Sequence, residues 1–171
     1  MLSWLGSVIF VCVGTQLPFH RLIRAMDEWS GKSGAEAFAQ IADVGSEGYL
    51  PMNMAWSRFL GPDDWDERFA GADLVVAHAG MGTIISALMA GKPIVIMPRR
   101  VTYNEHRNDH QVATARRFEG RPGVYVAMDE FNLPTMVEAA LSQPPIGAQR
   151  LGRYADESLI KTIRHFIVSN K

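Results

Sequence analysis

The stretch LVVAHAGMGTIISALMAGKPIVIMPRR, residues 74–100, leaves this chain few folds to adopt. An apolar run of strand length breaks at His-Ala-Gly-Met-Gly-Thr and continues with helical periodicity over 81–90. It then stops at Gly-Lys-Pro and turns apolar again over 93–97. Two strands joined through one helix run parallel, because the crossover returns the chain to the same end of the sheet. Pro93 opens the second run, where it removes no interior ladder bond.

The rest of the chain repeats the alternation. Residues 8–13 read as a buried first strand. Phe19, Leu22, Ile23 and Met26 then fall at i, i+3, i+4 and i+7, which predicts an amphipathic helix begun near Pro18. AEAFAQIA reads as strand two, DVGSEGYLPMN as a turn-rich loop and WSRFL, 56–60, as strand three. GPDDWDERFAG has Pro62 near its start, acidic residues in its first turn and Gly71 at its end, the marks of a helix. The polar loop RRVTYNEHRNDHQ leads to a helix with Val112, Ala115 and Phe118, then come strand GVYVAM and helix NLPTMVEAAL. A last helix over 153–168 carries Ala155, Leu159, Ile163, Phe166 and Ile167 along one face. The expected fold is α/β: one Rossmann-like domain with a mostly parallel sheet of about six strands. The expected division is a flexible extension at 1–6, a Rossmann-like nucleotide-sugar-binding domain at 7–150 and an amphipathic helical segment at 151–171.

Composition excludes several classes. A net charge of −1 gives no general attraction to nucleic acid. The single cysteine, Cys12, sits in an apolar run and reads as a small core residue, so no disulfide framework exists within the chain and an intracellular setting is expected. The apolar start is shorter than the ~20 residues of a membrane span, and it has no basic leader or small-residue cleavage site.

The glycine turn carries the chemistry. Gly80 and Gly82 let backbone approach a ligand with no Cβ in the way, and the helix that follows aims free N–H groups and its positive end at the same point. Thr83 adds a hydroxyl and His78 a ring N–H. The helix end contributes only ~0.3–1 kcal/mol, but each hydrogen bond to a charged oxygen contributes ~1.5–3 kcal/mol, so converging donors would hold a diphosphate. A tight turn required only by packing remains open as the alternative. A dinucleotide fingerprint needs a third glycine where Ile85 stands and an acidic residue ~20 positions on, which is missing. Arg99-Arg100 at the end of strand five suits a 2′-phosphate and keeps an NADP site as an alternative.

NEHRNDHQ, 104–111, forms a dense set of donors and acceptors suited to sugar hydroxyls. His106 and His110, with Asp109, are spaced as metal ligands, but without further Cys or His nearby no metal is expected. Arg99, Arg100 and Arg107 would favour an acidic sugar if they face the ligand.

HAGMGT, followed by Ala90-Gly91-Lys92-Pro93, an apolar strand and NDHQ, resembles the C-terminal, nucleotide-sugar-binding half of GT-B glycosyltransferases, the family 28 C-terminal domain. VGTQLPFHRLI is similar to the first strand and loop of that half. RNDHQVATAR looks most like the small subunits of two-component bacterial exopolysaccharide and capsule glycosyltransferases. These are related to the cytosolic subunit of the eukaryotic dolichol-linked N-acetylglucosaminyltransferase. The resemblance implies that Gly14, Thr15, His78, Gly80, Met81, Gly82 and Thr83 lie beside the diphosphate, with His78 a leaving-group stabiliser. It implies that Asn108, Asp109, His110 and Gln111 meet the donor sugar and that the loop near Leu60 recognises uracil. Ser86 stands where many relatives bind ribose through a glutamate, and His20 where they often have an acidic residue; His20 itself reads as an exposed helix residue.

What the resemblance implies is an inverting transfer from a UDP-sugar to a lipid-linked saccharide in exopolysaccharide biosynthesis, with no cofactor and no obligatory metal. The general base would come from a separate, membrane-associated acceptor-binding subunit, which would hold this chain at the inner face of the cytoplasmic membrane and without which it would be nearly inactive. The final helix, flanked by Arg150, Arg153, Lys161 and Arg164, is the candidate docking element; packing on its own sheet is the alternative. A non-catalytic enhancer subunit, without nucleotide-sugar binding, stays open because of Ser86.

Overall fold

The structure, a computed structural model, describes Trp4 and residues 6–143. The final helix expected over 153–168 and most of the expected extension at 1–6 lie outside the described residues. The strands are β1 (Val8–Cys12), β2 (Glu36–Gln40), β3 (Ala55–Ser57), β4 (Leu74–His78), β5 (Ile94–Met97) and β6 (Val124–Val126). The helices are α1 (His20–Ser33), α2 (Pro62–Gly71), α3 (Met81–Ala90), α4 (His110–Phe118) and α5 (Leu133–Ser142). The sheet order is β3-β2-β1-β4-β5-β6 with every pairing parallel, so the expected mostly parallel sheet is wholly parallel. The order reverses direction between β1 and β4, the place where doubly wound sheets open a crevice at their carboxyl ends.

Alternation along the central strands separates two cores. Ile9, Val11 and Val13 of β1 and its end, with Val76, Val95 and Met97, face α1 and α5 through Leu22, Ile23, Met26, Leu133 and Val137. Phe10 and Cys12, with Val75, Ala77, Ile94 and Ile96, face α2, α3 and α4 through Phe69, Ile84, Ala87, Leu88 and Ala115. Cys12 is buried and free, as its apolar setting implies. Among the described residues no helix is long and apolar enough to cross a membrane.

Two expected boundaries shift. Strand three is Ala55–Ser57 rather than 56–60, because the Ser57 hydroxyl donates to the Phe59 carbonyl at 2.7 Å and turns the chain out of the sheet. The polar stretch expected as one loop contains a 3₁₀ turn, Val101–Tyr103, and ends early, since His110 already begins α4.

Asp27 shows how a polar residue on the buried side of α1 organises the chain between β2 and β3. It is fully buried and accepts from the Tyr49 hydroxyl (2.6 Å), the Met52 N–H (3.1 and 3.0 Å), the Asn53 N–H (2.7 Å) and the Asn53 side-chain amide (3.3 Å). Burial alone would raise its pKa, but hydrogen bonds from Tyr49, Met52 and Asn53 outweigh burial and hold it below the ordinary value. Burial and the Asp27 charge push Tyr49 up to about 12. A carboxyl whose folded pKa is lowered stabilises the fold fully above the unfolded value and loses that contribution as pH falls through the folded one. Asp27→Ala is expected to cost about 3 kcal/mol at neutral pH in urea unfolding. Asp27→Asn should flatten the decline in unfolding free energy below about pH 4.

Candidate functional site

At the carboxyl ends of β1, β4 and β5 lies a cleft of about 360 Å³. β4 ends in His78, the chain turns at once through a 2.7 Å hydrogen bond from the Gly80 N–H to the His78 carbonyl, and α3 begins. The His78 ring fills the space between two glycines. A Cβ on Gly80 would sit 2.2 Å from His78 Nε2, and one on Gly14, whose φ is +79°, would sit 3.1 Å from His78 Cε1. Gly80 is therefore required by the histidine, and Gly14 by its positive φ with the ring close beside it. Burial, reinforced by the nearby Arg99 charge, lowers His78 to about 4, so the ring is neutral at pH 7. Its Nδ1 is buried and has no hydrogen-bond partner among the described residues.

Gly82 is different. A Cβ there would meet nothing within 4 Å among the described residues, so none of them excludes one. No side chain caps α3, whose Met81, Gly82 and Thr83 N–H groups are the unpaired donors of a first helical turn. Met81 and Gly82 line the cleft with Gly14 and Thr15 of the β1–α1 loop; Thr83 is half-buried just behind them.

The floor is set by Arg99. Its side chain donates to the carbonyls of Val13 (2.9 Å), Leu17 (2.6 Å) and Pro18 (2.5 Å), and it stacks on the Phe19 ring at 4.6 Å. Burial lowers its pKa to about 10, which leaves it charged at pH 7. Gln111 accepts the Arg99 N–H at 3.1 Å, and His106 and His110 complete the rim with rings edge to face at 4.5 Å. Among the described residues no carboxylate lines this cleft. One arginine, three imidazoles and a helix N-terminus are the chemistry that suits an anion.

The expected residues divide accordingly. Gly14, Thr15, His78, Gly80, Met81, Gly82, His110 and Gln111 are brought together. Asn108 and Asp109 stand behind the rim: Asn108 Oδ1 faces the His110 ring and Asp109 Oδ1 accepts the Val101 N–H at 3.0 Å. Leu60 packs with Phe38 and Trp65 against the core, and Ser86 is a half-buried residue further along α3; neither lines the cleft. His20, expected to be exposed, is half-buried at the start of α1 and belongs to a neighbouring depression with Arg21 and Arg24. Arg99 and Arg100 do not project as sugar readers. Arg99 serves the three carbonyls, and Arg100 donates to the Met128 carbonyl at 2.8 Å. His106 and His110 meet edge to face, and among the described residues no group of three His, Cys, Asp or Glu is placed to hold a metal. Gln16 lies outside the residues expected at the ligand, and His106 belongs to that expectation only through the polar stretch 104–111 and the metal-like spacing.

The glycosyltransferase family 28 C-terminal domain matches residues 8–150. A curated relative from Solibacter usitatus (strain Ellin6076) is the UDP-N-acetylglucosamine--N-acetylmuramyl-(pentapeptide) pyrophosphoryl-undecaprenol N-acetylglucosamine transferase. It is 26% identical over 129 residues, a match covering 71% of this chain and 34% of the relative. The chain thus spans about a third of that protein's length. Among solved structures, the glycotransferase of kitacinnamycin superposes with a TM-score of 0.60 at 22% identity, over 82% of this chain and 36% of that one. ALG13 superposes with a TM-score of 0.52 at 15% identity, over 93% of this chain and 94% of that one. These likenesses establish a shared fold.

The two turn glycines make opposite predictions. Gly80→Ala forces the His78 ring aside and is expected to cost ~1–3 kcal/mol. Gly82→Ala should change unfolding free energy by less than about 0.5 kcal/mol. Paired urea titrations measure both.

Proposed function

The chain belongs to the glycosyltransferase family 28 C-terminal domain family, and from that footing we propose that it is the donor-binding component of an inverting, UDP-sugar-dependent glycosyltransferase. The observation that carries this reading is the carboxylate-free cleft, where α3's free N–H groups, His78 and the Arg99 charge converge beside the open face of Gly82. A nucleotide-sugar diphosphate carries two negative charges, and transfer leaves a further one on the departing UDP. Donors fixed before the reaction stabilise that charge without reorganisation, and they do so without a metal. His78 acts here as a neutral donor to the leaving group. Gly14, Thr15, Met81, Gly82 and Thr83 surround the diphosphate, and His110 and Gln111 face the sugar. Asn108 and Asp109 support them from behind. Ser86 lies towards the ribose and Leu60 towards the uracil.

Deprotonating the acceptor hydroxyl needs a base, and the described residues offer no carboxylate in the cleft. A separate acceptor-binding glycosyltransferase subunit supplies it in this reading, as in two-component bacterial exopolysaccharide and capsule systems. That subunit is membrane-associated, because the acceptor is a lipid-linked saccharide. The likeness over 94% of the ALG13 chain is consistent with a chain that consists of little more than this fold. Residues 151–171 are the docking segment.

Calorimetric titration with UDP, UDP-sugars, GDP and NADP tests the donor reading. UDP and one UDP-sugar are expected to bind, and Gly82→Val should weaken both at least tenfold, about 1.4 kcal/mol, while the fold persists. Silence towards every uridine nucleotide would favour a non-catalytic enhancer subunit, and binding of NADP alone would overturn the nucleotide assignment.

A further inference from the structure

The rim of the cleft is carried by a stretch folded mostly upon itself. Residues 101–109 lead from the end of β5 through the 3₁₀ turn to α4. Within it Asn104 takes a φ of +55°, a left-handed backbone that residues with a side chain rarely adopt. His106 lines the cleft from the end of this stretch and His110 from the start of α4. Local hydrogen bonds give the stretch its shape. The Tyr103 and Glu105 N–H groups both donate to the Arg100 carbonyl at 3.2 Å, the Asn104 N–H donates to the Val101 carbonyl at 2.9 Å, and the Val101 N–H donates to Asp109. Bonds inside a loop do not fix where the loop stands against the cleft.

That place comes from α1. Arg21 donates through Nε to Glu105 Oε1 and through Nη2 to Glu105 Oε2, both at 2.9 Å, and the two side chains are each only 11% exposed. The same guanidinium donates to the Glu130 carboxylate at 2.7 Å and to the Pro98 carbonyl at 3.2 Å, and it sits over the Tyr103 ring at 4.7 Å. Glu105 Oε2 also accepts the Arg100 N–H at 2.9 Å. The network therefore joins α1, the end of β5 and the loop before α5 to the residue directly before His106. An ion pair in open water contributes little, but this one is shielded, and its two-pronged geometry fixes direction as well as distance. Arg21, Glu105 and Glu130 themselves do not line the cleft.

We propose that Arg21 is a positioning residue for the donor sugar, its two-pronged pair with Glu105 setting where His106 and His110 stand in the cleft. The inference rests on reading the cleft as the donor site. The diphosphate end, at Gly14, Met81 and Gly82, belongs to other elements and does not depend on this pair. Loss of the pair therefore separates two affinities, for UDP and for the UDP-sugar, that a general loosening of the fold would change together. A lysine at position 21 keeps the charge but replaces the planar fork with a point contact.

The test is calorimetry on the full chain with UDP and with one UDP-sugar. The sugar probe is whichever of UDP-glucose, UDP-galactose, UDP-glucuronate and UDP-N-acetylglucosamine binds the wild type tightest. The quantity read is the Kd for the UDP-sugar divided by the Kd for UDP. In Arg21→Lys and in Glu105→Gln this ratio is expected to rise about fivefold or more, while the Kd for UDP stays within about twofold. The double variant should match the single ones, because either change alone removes the fork. Glu130→Gln takes a charge from the same cluster but leaves the fork, and its ratio should stay within about twofold of wild type. Thermal unfolding establishes that each variant is folded at the titration temperature, and Glu105→Gln, which keeps the side chain's size, carries the comparison if Arg21→Lys is not. An unchanged ratio in a folded single variant would overturn the proposal, as would a parallel rise of both Kd values or the unfolding of both variants. An equal rise in Glu130→Gln would overturn the role of the fork. Wild-type binding of UDP with none of the four UDP-sugars would overturn the rim's role in holding the sugar. Silence of the wild type towards UDP and all four would overturn the donor reading and this inference together.

Discussion

The buried guanidinium of Arg99 is the interaction on which the arrangement of the cleft depends. A fully charged side chain with little access to water is costly unless its protons are satisfied, and here main-chain oxygens satisfy them. The carbonyls of Val13, Leu17 and Pro18 all belong to the segment leaving β1, whereas Arg99 follows β5. One side chain thus fixes two strand ends that are not neighbours in the sheet, with β4 between them. The planar, many-pronged donor set suits three carbonyls and an aromatic face at once, a combination that a lysine ammonium could not reproduce. Its hydrogen-bond partners are neutral, so the charge at the base of the cleft is offset only through space, by Glu105.

Burial, with that charge second, explains the state of His78. The ring is held neutral by burial and by Arg99, and its bulk fixes the backbone on both sides. The strand-to-helix turn combines two requirements that a sequence pattern merges. Gly80 is small because of the histidine, and Gly82 has open space that no protein atom fills. Only the second has the character of a ligand cradle. The donor-half reading draws its strength from this division together with the free first turn of α3.

Much of this was legible in the sequence, since strand and helix alternation is carried by apolar periodicity and by prolines and glycines at element ends. The bounds of α2 and α3 follow from Pro62, Gly71 and the glycine turn. The convergence of Gly14, Thr15, His78 and Gly82 followed from their place at strand ends of a parallel sheet. Side-chain commitments were not legible. Arg99 and Arg100 look like ligand readers in a string of letters, yet each is used on backbone carbonyls far along the chain. Asn108 looks like a sugar contact but faces His110, and Leu60 packs against the core rather than lining the cleft. Asp27, a charged residue beside an apolar helical stripe, gave no sign that a loop some two dozen residues away would supply its donors. Pairings over such separations depend on the folded geometry, which periodicity does not encode.

The sheet's two margins have a consequence for how this domain can associate. β3 and β6, its outermost strands in the described residues, are each three residues long. An open edge of that length offers too few unpaired backbone groups to template an added strand, which protects a parallel sheet from end-on polymerisation. Contact with another macromolecule is thereby directed to helices and loops, where side chains rather than the backbone decide which partner fits.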